Sequence, residues 1–432
     1  MRQAAGFRPE QEGIAGREAD RKKGPLRFRR QRKDPAAAER GQTGVKIGML
    51  ADLRHFPVVE TGPPHAGFVE HESERMNQVQ RCADVRAEPD DVAGVRRNLR
   101  LIEDQVEHDN GPVISDLDLP VSFCGLELKS PIVLLSGCVG FGEEYTRVKG
   151  FSNADVGAIV LKGTTLAPRL GNPPHRVWET PSGMLNAIGL QNPGARQVVD
   201  RILPTLDFSE TRFFANVSGS TIEEYVEVTR IFDDSAIDAI EINISCPNVK
   251  EGGVAFGNYP EMSAQVVAAC RAVTKKPLIT KLSPNQTDIA LNARACIEAG
   301  TDGLAVINTL MGMAIDIDSR RPVIGNVQGG LSGPAIRPIA LLKVFKVHAE
   351  AARHGVPIIG QGGIASAADA IEFVLAGASA VGVGTALFYD PLVVARINHG
   401  IAAYLDEQGF GSVGELVGAL ATGETLDRAV SG

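Results

Sequence analysis

The sequence predicts an α/β fold: a (β/α)8 TIM barrel with an N-terminal hairpin capping the barrel bottom. Three observations lead there. Eight short apolar runs recur between residues 131 and 386, helix-like amphipathic stretches separate most of them, and polar side chains or glycine pairs stand at their C-terminal ends. Near-continuous apolar strands belong to a parallel sheet covered on both faces. Eight strand–helix units within roughly 300 residues favour a closed barrel over a doubly wound open sheet.

Residues 1–112 stand apart from this pattern. They are rich in Arg, include "RKKGPLRFRRQRKD", and offer no repeating β-branched runs from which to build a core. The segment is expected to be a disordered extension or the product of a start codon assigned too far upstream. The functional alternative is a basic arm that binds a partner.

Residues 113–432 carry the barrel. "LDLPVSFCGLELKS" (117–130) reads as the capping hairpin. The strands follow as "PIVLLSG" (131–137), "AIVLKG" (158–163), "FFANVSG" (213–219), "AIEINIS" (239–245), "LITKLS" (278–283), "GLAVINT" (303–309), "PIIGQGG" (357–363) and "AVGVGTA" (380–386). Segments such as "TIEEYVEVTRIFDD" and "QTDIALNARACIEAG" supply the helices between them.

Composition narrows the function classes. A formal charge of −8 and a pI near 5.6 argue against nucleic acid as the main partner. No apolar run approaches the roughly 20 residues that cross a bilayer, and the start lacks the apolar stretch of a secretory signal. Cysteines at 82, 124, 138, 246, 270 and 296 form no CxxC pair and have no close His spacing. That spacing speaks against a zinc or iron–sulfur site on this chain and for a reducing, cytoplasmic setting.

In a barrel of this kind the site lies at the C-terminal ends of the strands. Read in order, those ends deliver Ser136, Lys162, Asn216, Asn243 with Cys246, Lys281, Asn308 with Thr309, Gly362 with Gly363, and Gly384 with Thr385. A ring of amines and amides around one cavity is hard to explain as packing, because buried polar groups need partners. The glycines of "GQGGIAS" and "GVGTALF" stand at strands 7 and 8, where barrels seat a phosphate on backbone N–H groups. With no Walker-type loop, the ligand is a phosphorylated cofactor or a sugar phosphate rather than ATP.

Lys162 and Lys281 lie inside apolar strands. Either they reach out to solvent, or their ammonium groups face a carboxylate or an electron-rich ring. A flavin suits the second case, since reduction places negative charge on its ring. Asn186, in "GMLNAIGLQNPG", is either a turn residue on the connection after strand 2 or part of a loop. In the loop reading, its side chain and the amides of Ile188, Gly189 and Leu190 grip a substrate carboxylate.

Cys246, in "EINISCPNVKEGG", has the same two-sided character. It is a small buried hydrophobe or, at the rim beside Asn243 and Asn248, a thiolate acting as nucleophile or base. No histidine stands at a strand end, which leaves proton abstraction by the thiolate as the better reading. Gly252 and Gly253 suit a lid over residues 247–256.

"MLNAIGLQNPG", "NISCPNVKEGGVAFG", "KLSPN", "INTLMGMAID", "GGLSGPA", "GQGGI" and "VGTALF" together resemble the class 1B dihydroorotate dehydrogenases, in their FMN-containing catalytic subunit. The likeness runs from about Leu117 to Phe410 and keeps the motifs in order. It implies that Cys246 is the base that takes the C5 proton of dihydroorotate while the C6 hydride passes to FMN. It assigns the substrate to Lys162, Asn186, Ile188, Gly189, Leu190, Asn243, Asn248, Asn308 and Thr309. FMN would be held by Ser136, Lys162, Gly163, Asn216, Asn243, Lys281, Ile307, Gly333, Gly362, Gly363, Gly384 and Thr385.

The resemblance also implies a homodimer core and a partner subunit carrying FAD and a 2Fe–2S cluster that passes electrons to NAD. This chain has no cluster motif or dinucleotide fingerprint of its own. Two relatives of the reading remain as alternatives: a class 1A-like enzyme using fumarate, and a flavin-dependent reductase of another pyrimidine. The membrane-bound class 2 enzymes use Ser as base, where this chain has Cys246.

Overall fold

A computed structural model describes residues 119–244 and 253–422. The extension 1–112 lies outside the described residues, as do Cys246 and Asn248.

Strands β1 (Val121–Phe123) and β2 (Leu126–Leu128) pair antiparallel, Val121 against Leu128 and Phe123 against Leu126. Phe123 and Leu128 are buried. A Cβ placed on Gly303, the first residue of a barrel strand, would lie 2.6 Å from Cys124 Sγ. The hairpin therefore packs against the strands' N-terminal ends and closes the barrel bottom, as expected.

The barrel itself comprises β3 (Ile132–Leu134), β4 (Ala158–Val160), β7 (Arg212–Val217), β8 (Ala239–Asn243), β9 (Leu278–Leu282), β10 (Gly303–Val306), β15 (Ile358–Gln361) and β16 (Ala380–Val383). Each pairs in parallel with the next, and β16 returns to β3, so the sheet is closed. β8 and β9 are buried at every position. That explains why their sequences are continuous apolar runs rather than alternating ones.

The outer helices begin at side-chain caps. Thr221 accepts from Glu224 N, Asp288 from Ala290 N and Ser366 from Asp369 N, each satisfying an N–H that the first turn leaves unpaired.

Between barrel strands lie β5 (Val177–Thr180), β6 (Gly183–Asn186), β11 (Leu310–Gly312), β12 (Ile315–Asp316), β13 (Arg321–Pro322) and β14 (Gly329–Ser332). Four of them form an antiparallel sheet in the order β11-β14-β6-β5, and β12 pairs with β13. Asn186, placed on a connecting loop from sequence, is the last residue of β6 and pairs with Gly330 and Val177.

The predicted strand 303–309 ends at Val306, because Ile307 and Asn308 turn over the rim before β11. Of the lid expected over 247–256, residues 247–252 lie outside the described residues, and Gly253–Asn258 is helical. Among the described residues no helix is long and apolar enough to cross a membrane.

Candidate active site

The C-terminal ends of the barrel strands open into one cavity. Ser136 reaches it from the end of β3, Lys162 and Gly163 from β4, Asn243 from β8, and Lys281 from β9. Ile307, Asn308 and Thr309 follow β10, Gly362 and Gly363 follow β15, and Gly384 and Thr385 follow β16. The rim sheet contributes Asn186, Gly333 follows β14, and the chain after β6 adds Ile188, Gly189 and Leu190. Of the expected site residues that are described, only Asn216 does not line it. It is fully buried one layer behind.

Two cations meet in this cavity, and among the described lining residues there is no carboxylate. Lys281 is 5% exposed, and its Nζ lies 3.7 Å from Oε1 of Glu241, which is 0% exposed. Glu241 Oε1 also accepts from Asn216 Nδ2 at 2.5 Å. From there a file of amides crosses the rim. Asn243 Nδ2 donates to Asn216 Oδ1 (3.4 Å), Asn308 Nδ2 to Asn243 Oδ1 (3.3 Å), and the Thr309 N–H to Asn308 Oδ1 (2.8 Å).

Gly163 is required by close approach. A Cβ there would lie 2.9 Å from Asn216 Oδ1 and 3.2 Å from Leu190 Cδ2.

Across the cavity, the backbones of Gly333 and Gly363 touch. A Cβ on Gly363 would sit 2.7 Å from Gly333 O, and both residues have positive φ, 84° and 92°. Thr385 Oγ1 donates to Ser332 Oγ at 2.8 Å beside them. Gln361 donates Nε2 to Ile307 O at 2.8 Å, while its buried Oε1 has no hydrogen-bond partner in the described structure. A buried acceptor of this kind calls for a donor from whatever fills the cavity.

The segment after Asn186 is braced from outside. Asn172 N donates to Ile188 O at 3.0 Å. Arg176 holds the brace together by donating to Asn172 O, to Gln191 Oε1 at 2.6 Å and to Leu170 O at 3.1 Å. Gly189 and Leu190 both take positive φ, 76° and 54°, within this clamp.

Sequence reasoning missed several lining or supporting residues. An acid inside "AIEINIS" and an amide inside "PIIGQGG" are visible signals, because a buried strand seldom carries either without a use. Ser332 has no such signal, since only the rim sheet brings it to Thr385. Cys138 also lines the cavity. Burial pushes its thiol up to about 11 although Lys281 and Lys162 pull the other way, so it stays protonated at neutral pH.

The family model described as dihydroorotate dehydrogenase matches residues 118–405. The chain belongs to the dihydroorotate dehydrogenase family. Three relatives are each named dihydroorotate dehydrogenase B (NAD(+)), catalytic subunit. The Pelobacter propionicus protein is 51% identical over 304 residues, covering 70% of this chain and 98% of that one. The Geobacillus kaustophilus protein is 50% identical over 301 residues, covering 69% and 95%. The Bacteroides thetaiotaomicron protein is 50% identical over 304 residues, covering 70% and 99%. The crystal structure of Eimeria tenella DHODH in complex with ferulenol has a TM-score of 0.58 at 24% identity, covering 72% of this chain and 90% of that one. At that identity the likeness concerns the fold of this dihydroorotate dehydrogenase family member alone.

Proposed function

We propose that this chain is the FMN-carrying catalytic subunit of a class 1B dihydroorotate dehydrogenase, oxidising dihydroorotate to orotate in pyrimidine synthesis. One observation carries the reading. Lys162, Lys281, Asn186, Asn243, Asn308 and Thr309 share a cavity with a glycine backbone seat, and no carboxylate is found among its described lining residues. The names of relatives about half identical over nearly their whole length support the same activity.

The residues present fit FMN. Gly333, Gly362, Gly363, Gly384 and Thr385 would take its phosphate on backbone N–H groups, with Ser136 and Gly163 lining the approach. Lys281 would face the polar edge of the ring, Ile307 would pack beside it, and the orphaned Gln361 Oε1 is suited to accept from a ring N–H. Bound there, FMN supplies the two-electron acceptor for the C6 hydride.

The chain's own residues do the rest. Asn186 and the backbone from Ile188 through Gly189 to Leu190 hold the substrate carboxylate, and Lys162 balances its charge. Asn243, Asn308 and Thr309 bond the pyrimidine ring, together with Asn248. Cys246, three residues beyond the cavity-lining Asn243, takes the C5 proton on its thiolate. As the hydride leaves C6 with its electron pair, the C5–C6 double bond forms and the atoms balance.

Electrons then travel to NAD through a partner subunit with FAD and a 2Fe–2S cluster, attached to a homodimer core. The cysteines free in the described structure, Cys124, Cys138, Cys270 and Cys296, suit a cytoplasmic setting. In this reading residues 113–432 are the working domain, and the mass of the native N-terminus tests whether 1–112 is made.

The test is direct. The purified chain should be yellow and should form orotate from dihydroorotate with a dye as acceptor. Co-purification should bring down an iron–sulfur flavoprotein and yield NADH. A protein that stays colourless after reconstitution with FMN overturns the proposal.

A further inference from the structure

Glu241 is a fully buried acid in the middle of β8, among Ala, Ile and Asn. The substrate steps above make no use of it. Its Oε1 has two partners, Asn216 Nδ2 at 2.5 Å and Lys281 Nζ at 3.7 Å, and its Oε2 has no hydrogen-bond partner in the described structure. A buried carboxylate with so little compensation is poor packing, and a hydrophobic residue or Gln of similar volume would serve the core better.

The acid's chemistry propagates outward. A carboxylate accepts hydrogen bonds and donates none. Asn216 must therefore turn its NH2 toward Glu241 and its carbonyl toward Asn243. Asn243 answers with its NH2 and presents its carbonyl to Asn308, whose own carbonyl ends on the Thr309 N–H. All three side-chain carbonyls are engaged inside the file. Asn243 thus meets the cavity as an N–H donor, suited to a carbonyl oxygen on a planar ring. The Thr309 N–H pins Asn308 from the far end, so reversing the first amide would turn Asn243 alone and leave it with its NH2 facing the NH2 of Asn308.

We propose that Glu241 is a positioning residue with two effects. Through Asn216 it fixes Asn243 as a donor toward the ligand, and through Lys281 it moderates the positive charge at the ring edge. This rests on the flavin and dihydroorotate reading of the cavity.

Glu241→Gln keeps the shape, removes the charge and adds a donor. In the FMN-loaded protein, Lys281 is then uncompensated and the reduced flavin is favoured tenfold or more. That is an upward shift of about 30 mV or more in the two-electron potential, read by spectroelectrochemical titration. Glu241→Leu leaves Asn216 with no acceptor at all, and there orotate binding should weaken about tenfold, the worth of one lost hydrogen bond, read by difference absorbance. Glu241→Asp retains the charge but withdraws from Asn216. Its potential should stay near that of the parent protein while orotate affinity falls.

Asn216→Ala cuts the file and leaves the acid's charge beside Lys281, and should repeat the Asp result if Glu241→Gln fails to fold. A merely structural role would not separate potential from affinity in this way. A folded, flavin-loaded Glu241→Gln protein with unchanged potential, or a folded Glu241→Leu protein with unchanged orotate affinity, overturns the proposal. A parent protein that takes up no flavin defeats the reading of the cavity instead, and the proposal with it.

Discussion

Thr385 Oγ1 donates to Ser332 Oγ at 2.8 Å, and this bond ties the end of the last barrel strand to the rim sheet. It lies beside the touching backbones of Gly333 and Gly363, so it steadies the proposed phosphate seat from both sides. Thr385→Val keeps the shape and loses the hydroxyl. FMN affinity should fall about tenfold, corresponding to one hydrogen bond, when FMN fluorescence is followed on titration into apoprotein.

Two cysteines should behave oppositely toward iodoacetamide at neutral pH. Cys138, held up at about 11 by burial, should stay unmodified in the native protein, while Cys246 should be alkylated and protected by orotate. Cys246→Ala should lose roughly 10²–10⁴-fold in turnover and keep its flavin. Cys246→Ser should retain part of the rate with its optimum moved to higher pH, because a hydroxyl gives up its proton less readily. Peptide mass mapping and a pH–rate profile check the pair.

Arg176 does not line the cavity, yet it clamps the segment that shapes the backbone from Ile188 to Leu190. Arg176→Ala should raise KM for dihydroorotate about tenfold or more, since charge-assisted bonds of this kind contribute roughly 1.5–3 kcal/mol. Arg176→Lys should not rescue it, because one ammonium cannot span three acceptors in fixed directions. Steady-state kinetics on both variants decide the matter.

His348 sits against Gly377 and Gly418, and burial lowers its pKa while a backbone hydrogen bond at Gly377 partly offsets this. The folded value lies below the ordinary one of 6.5, so on acidification the unfolded chain binds the proton first. The neutral ring's contribution is complete above about pH 6.5 and drains away as pH falls through the folded value. Melting temperatures between about pH 7.5 and pH 5 should therefore drop more steeply for the parent protein than for His348→Gln.

The barrel was legible because each strand is a local segment whose burial shows in its composition. "AIEINIS" over 239–245 became β8 over Ala239–Asn243. The strand-end rule then brought Lys162, Lys281, Asn243 and Asn308 to one cavity without knowledge of any contact. It failed at depth. Alternation along a strand tells which face a residue takes, not whether another side chain stands in front of it, and so Asn216 was placed in the cavity rather than behind it. The rim sheet was invisible for a different reason. Asn186 pairs with Gly330, 144 residues away, and no local pattern announces such a partner.

That pairing bears on how this scaffold can be re-engineered. Asn186 Nδ2 donates to Gly330 O, and a Cβ on Gly330 would collide with Thr309 Oγ1 at 2.0 Å. The segment bearing β5 and β6 and the segment bearing β11 and β14 are thus one cassette interrupted by half the barrel. Transplanting either alone into a related barrel would strand an open sheet edge over the recipient's cavity. Moved together, the two carry their mutual geometry with them and ask little of the host except its strand ends.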